Sequence, residues 1–138
     1  MKKIILFSAI ALLCASVVFA AGITKKDLAG LKGTWQGTAS GGSGISVDVK
    51  LEIMNDTEPL QGKLTLSKIP EKAKQEFNVQ DPMTGESNNG KITSAGTIMF
   101  LGASPTNFFE ITSISKEKKL SGWGFFNGFK ANITATKK

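Results

Sequence analysis

The sequence predicts an all-β fold: a small antiparallel up-and-down β-barrel of about eight strands, introduced by a short N-terminal helical turn. Three observations predict it. Apolar residues recur at every second position in run after run beyond residue 31, the spacing of strands with one buried face. Most connections between the runs are short, and short connections join only antiparallel neighbours. A leucine-x-glycine phrase recurs at or near the start of three runs, as Leu31-Lys32-Gly33, Leu60-Gln61-Gly62 and Leu120-Ser121-Gly122. A glycine early in a strand permits the bend that a small closed sheet needs.

Taken in order, the first element is a targeting segment. Lys2 and Lys3 precede an apolar run from Ile4 to Val18, and Val18-Phe19-Ala20 supplies residues that a signal peptidase accepts. A signal peptide over 1–20 is expected, cleaved after Ala20. One domain over 21–138 then remains, placed in the periplasm or secreted from a bacterium. The apolar run is short for a bilayer crossing, so no stable membrane span is expected after cleavage. Cys14 lies inside the run behind Leu13, which is too large to precede a lipid-attachment cysteine. Cleavage removes that single cysteine, leaving a chain compatible with an oxidising compartment but without disulfides.

Thr24-Lys25-Lys26-Asp27 resembles a capping box and predicts a helical turn over Lys25 to Ala29. A first strand follows from Leu31 to about Ser40, and Ser40 to Gly44 reads as a flexible hairpin loop. The clearest strand runs from Ile45 to Ile53. Ile45, Val47, Val49, Leu51 and Ile53 face one way, with Ser46, Asp48, Lys50 and Glu52 opposite. Asn55 to Pro59 turns the chain into a strand from Leu60 to Ile69. Between Pro70 and Gly90 the alternation fails. A helical turn over Glu71 to Glu76, a short strand at Phe77 and Val79, a turn at Asp81 to Gly85 and a type I′ hairpin at Asn89-Gly90 are expected there, within a long and mobile connection. Strands resume over Lys91 to Ala95, Gly96 to Leu101, Asn107 to Ile114, Lys119 to Asn127 and Phe129 to Thr136.

A helical turn followed by Gly33-Thr34-Trp35 on the first strand of such a meander resembles the calycin superfamily of lipocalins and avidins. That resemblance implies a barrel whose Trp35 plugs the closed end, with Gly33 letting the chain pass close by. Lipocalins set an arginine of the last strand against this tryptophan. The present chain has no arginine, and Lys130 is the cation within Phe129 to Thr136. Avidins line a biotin site with several tryptophans and a tyrosine. Here Trp35 and Trp123 are the only tryptophans and tyrosine is absent, so biotin binding is not implied.

Chemistry is sparse. With no histidine and no cysteine beyond residue 14, neither a Ser-His nor a Cys-His pair can form, and zinc loses its preferred ligands. Asp48 and Glu52 share a polar strand face and are expected in solvent. Asp81 and Glu86 do not follow a calcium-loop pattern. No catalytic residues, cofactor or metal are expected, and the chain reads as a non-enzyme. The formal charge is +6, and loss of Lys2 and Lys3 from 17 basic residues leaves 15 against 11 acids. Those lysines are scattered, as in Lys116-Glu117-Lys118-Lys119, so no nucleic-acid partner is expected.

Aromatic residues remain the functional candidates: Trp35, Phe100, Phe109, Trp123 and Phe125 are the residues expected to meet a ligand. Trp123 and Phe125 share one strand parity, Leu120 and Phe126 the other, so one pair must face outward unless the connection after Pro70 covers it. Two functions follow. A lipocalin-like binder would hold a small apolar or amphipathic molecule inside the barrel. A ligandless module would instead use an exposed aromatic patch to bind an envelope protein or another copy of itself. An interior filled by side chains would exclude the first.

Overall fold

A computed structural model describes residues 22–102 and 107–138. The signal peptide expected over 1–20 lies outside these residues, as does the segment 103–106. Eight strands form a closed antiparallel barrel in sequence order: β1 (Gly33–Gly41), β2 (Ser46–Ile53), β3 (Leu60–Ser67), β4 (Met83–Ile92), β5 (Ile98–Leu101), β6 (Phe108–Ile114), β7 (Lys119–Phe126) and β8 (Phe129–Lys137). β1 pairs with β8, as in Gly37 opposite Ala135, and closes the sheet on itself. Closure leaves no unpaired edge between first and last strands.

Alternation positions the core. Val47, Val49, Leu51 and Ile53 of β2 are buried, as are Ala131, Ile133 and Ala135 of β8. Each large aliphatic side chain so buried contributes about 1.5–3 kcal/mol of transfer free energy. No polar or charged residue is buried among the described residues.

One end is closed by the N-terminal segment. Asp27 accepts the Thr24 N–H at 2.8 Å, the expected capping contact, and starts a 3-10 turn (Lys25–Asp27) that continues as α1 (Leu28–Leu31). Helical structure therefore runs past Gly30, because Leu28 and Leu31 plug the barrel and hold the turn against it. Ile23 N–H donates to Gly96 O at 2.7 Å and ties this segment to the β4–β5 hairpin. The leucines of the three Leu-x-Gly phrases, Leu31, Leu60 and Leu120, gather at this end and are fully buried.

The region from Pro70 to Gly90 differs from expectation. It holds α2 (Glu71–Phe77) and most of β4, rather than a mobile connection. Phe77 ends the helix instead of joining a strand with Val79, and Asn78 follows in the left-handed region at φ 52°. The helix covers the other end of the barrel, with Phe77 against Phe129 at a ring separation of 5.3 Å. Lys74 Nζ donates to Glu71 Oε2 at 3.0 Å. That hydrogen bond and the carboxylate's charge raise the Lys74 pKa above its ordinary value. The pair stands in solvent and contributes little to stability.

Gly85, expected in a turn, is an internal β4 residue, as are Asn89 and Gly90. The β4–β5 hairpin turns instead between Thr93 and Thr97, where Thr93 N–H donates to Thr97 O at 2.8 Å. Lys91 to Ala95 is thus not a separate strand. At the first hairpin, β1 runs on to Gly41 and a 3-10 turn (Gly42–Gly44) replaces the expected loose loop.

Candidate functional site

The ladder between β4 and β5 holds two directly paired positions, Lys91 with Met99 and Ile92 with Ile98. Toward the α2 end the strands diverge, and side chains bridge the seam. Asn89 Oδ1 accepts the Leu101 N–H at 2.8 Å, and Asn89 Nδ2 donates to Leu101 O at 3.1 Å. One side-chain amide thereby satisfies both main-chain groups of Leu101, as a neighbouring strand residue would. The Ser87 hydroxyl lies 2.9 Å from Leu101 O and 2.7 Å from Asn89 Oδ1.

Behind this seam lies a cavity of about 340 Å³. Leu51, Leu64, Leu66, Phe100, Phe109 and Phe126 make its walls. The polar residues of its lining are Thr84, Glu86 and Ser87 of β4 and Asn107, which precedes β6. The register explains the space. Met83, Gly85 and Ser87 of β4 stand opposite Leu66, Leu64 and Gly62 of β3 and take the inward positions. A Cβ at Gly85 would meet nothing within 4 Å. Phe100 bounds the cavity by lying over β3 and β4. A Cβ at Gly90 would collide with its ring, so a glycine is required there.

The five aromatic residues fall in three places. Phe100 and Phe109 line the cavity, with ring centroids 6.2 Å apart. Trp35 lies at the closed end, fully buried, and its Nε1 donates to Leu31 O at 2.8 Å. Trp123 and Phe125 face outward with Phe108; Trp123 and Phe108 meet edge to face at 4.8 Å, and Phe125 stacks on Phe108 at 6.4 Å. The connection after Pro70 packs on Phe129, at the barrel end rather than on this outer face. Trp35, Trp123 and Phe125 thus do not touch the cavity. The residues that complete it, Leu51, Leu64, Leu66 and Phe126, alternate like any core residue and carry no separate signal in the sequence.

A cation of the last strand does stand against the plugging tryptophan, but it is Lys137. Its Nζ lies 5.9 Å from the Trp35 ring centre and donates to Gly30 O at 2.8 Å. Gly33 has φ +133°, a backbone conformation that favours glycine, and a Cβ there would come within 2.9 Å of Lys137 Cε. Lys130 lies instead over Trp123, 5.1 Å from its ring centre.

No group of three or more acidic, histidine or cysteine side chains suited to a metal ion occurs among the described residues. Compared with protein families, with curated proteins and with solved structures, the chain shows no significant match. The closed eight-stranded barrel is compatible with a calycin-like fold.

Proposed function

We propose that this protein is an exported, lipocalin-like binder of the calycin type that holds a small apolar or amphipathic molecule inside its barrel. The observation that carries this reading is the apolar cavity of about 340 Å³. Its volume falls in the range of small-molecule sites, of order 300–1,000 Å³. A barrel filled to native packing density would leave no such space. Apolar walls with polar groups at one side suit a ligand whose polar end rests at the β4–β5 seam. Binding without chemistry accords with a sequence that offers no nucleophile–base pair, and the expected leader accords with a bacterial envelope location.

Titration with N-phenyl-1-naphthylamine, a neutral dye that brightens in apolar sites, tests the reading. The wild-type protein should bind it with saturable enhancement. Gly85→Leu places a side chain in the open space and should abolish the enhancement, with a stability change of about 0.5 kcal/mol or less, since its Cβ meets no neighbour. Undiminished dye binding by a folded Gly85→Leu protein would remove the cavity from consideration.

A further inference from the structure

The outer wall of β5 to β8 carries an apolar band whose residues are aligned by the ladders. Leu101 pairs with Phe108, Phe108 with Phe125, and Phe125 with Lys130. In the adjacent row Lys91 pairs with Met99, Met99 with Glu110, and Glu110 with Trp123. Leu101 is 53% exposed, the largest value among the large apolar residues described. Met99, Phe108, Trp123 and Phe125 are partly exposed. Four neighbouring strands spaced by about 4.8 Å make a band some 14 Å wide.

We infer that this band is a docking face for an anionic lipid bilayer, beside the seam of the cavity. Charge and position favour that occupant. Lys91 and Lys130 stand at opposite sides of the band, and Lys130 also covers the Trp123 ring. The carboxylate between them, Glu110, has both oxygens engaged: Oε1 accepts Trp123 Nε1–H at 2.7 Å and Oε2 accepts the Thr97 hydroxyl at 2.8 Å. Both of its oxygens are thus committed to neighbours in the same wall, and among the described residues neither ammonium group forms an ion pair, which leaves them to meet lipid phosphates. Aromatic bodies with polar edges, flanked by lysines on long stems, suit the headgroup boundary of a bilayer. The net charge of +4 that 15 lysines against 11 acids leave once Lys2 and Lys3 are removed with the leader acts in the same sense, drawing the protein to anionic lipid. Phe108 belongs to both the band and the cavity lining, so the docked face would set the seam at the lipid surface.

The surface stands apart from the cavity reading and is tested separately. Protein recovered from its host, its N-terminus fixed by intact mass, is co-sedimented with phosphatidylcholine vesicles with and without phosphatidylglycerol. Binding is expected with phosphatidylglycerol and is expected to weaken as salt rises. Leu101→Ser with Phe125→Ser should reduce the bound fraction roughly tenfold or more, with an unchanged circular dichroism spectrum. Lys130→Glu should reduce it about fivefold or more. Trp35 is already buried, so a blue shift of tryptophan emission on adding vesicles would report Trp123. Gly85→Leu should dock like the wild type, which separates this face from the cavity. Equal sedimentation of the double variant and the wild type overturns the assignment. So does a dimer, seen by light scattering and dissolved by the same double variant, in a protein that ignores vesicles; the band would then be a self-association face.

Discussion

The closed end and the β4–β5 seam are built from similar materials and do opposite things. At the closed end, α1, Trp35, Lys137 and the three phrase leucines fill the barrel, and the Trp35 N–H finds its acceptor in Leu31 O. At the seam, two paired positions and the side chains of Asn89 and Ser87 span the strands, and a cavity lies behind. Both regions contain buried aromatics, yet Trp35 is surrounded on all sides whereas Phe100 and Phe109 border empty space. The barrel therefore packs tightly at its closed end and leaves open space behind the seam.

The largest expected effect would break that comparison at its firm side. Trp35→Ala removes a fully buried ring and its hydrogen bond, and should cost about 3–5 kcal/mol in urea unfolding followed by circular dichroism. Phe100→Ala enlarges a cavity that already exists, and should fall at the low end of that range, about 3 kcal/mol. If Phe100→Ala proves the more costly of the two, the packing gradient between the regions does not exist.

The same gradient decides what could be read from sequence. The filled parts were legible: β2 and β8 alternate cleanly because every inward position needs an apolar side chain, and the Leu-x-Gly phrase marks strand starts and one end of the barrel. β4 was missed for a physical reason. Its inward residues Met83, Gly85 and Ser87 face the cavity rather than packed neighbours, so the period-two signal fades where the candidate site lies. Asn89-Gly90 carries turn residues for other purposes. Asn89 substitutes for a ladder partner of Leu101, and Gly90 makes room for the Phe100 ring. Lys137 was overlooked because β8 extends one residue beyond the expected end at Thr136, and that residue is the one that reaches Trp35.

A middle-sized effect is expected at Lys137. Lys137→Ala loses the bond to Gly30 O and the cation over Trp35, and should cost about 1 kcal/mol. Lys137→Arg keeps a cation on the ring and should recover most of it. Thermal unfolding of the two variants compares them directly. Equal losses would show that neither a cation on the ring nor an aliphatic stem suffices, and that the ammonium hydrogen bond to Gly30 O secures the closed end.

The smallest effect on global stability, and the sharpest on the comparison, is expected from Asn89→Ala. Its amide is exposed; when it is removed Leu101 O keeps the Ser87 hydroxyl and the Leu101 N–H can turn to water, so unfolding should shift by about 1 kcal/mol or less. Locally the consequence differs, because nothing else among the described residues pairs with the Leu101 N–H. Amide hydrogen exchange at Leu101 should accelerate roughly tenfold, equivalent to about 1.4 kcal/mol of local opening. Ile133, paired on both sides between β7 and β1, should exchange as before when corrected for any global change. A seam that opens without the rest of the barrel is what uptake of a guest through the wall requires. If Leu101 and Ile133 accelerate together, the barrel opens only as a whole, and a guest must instead come past α2.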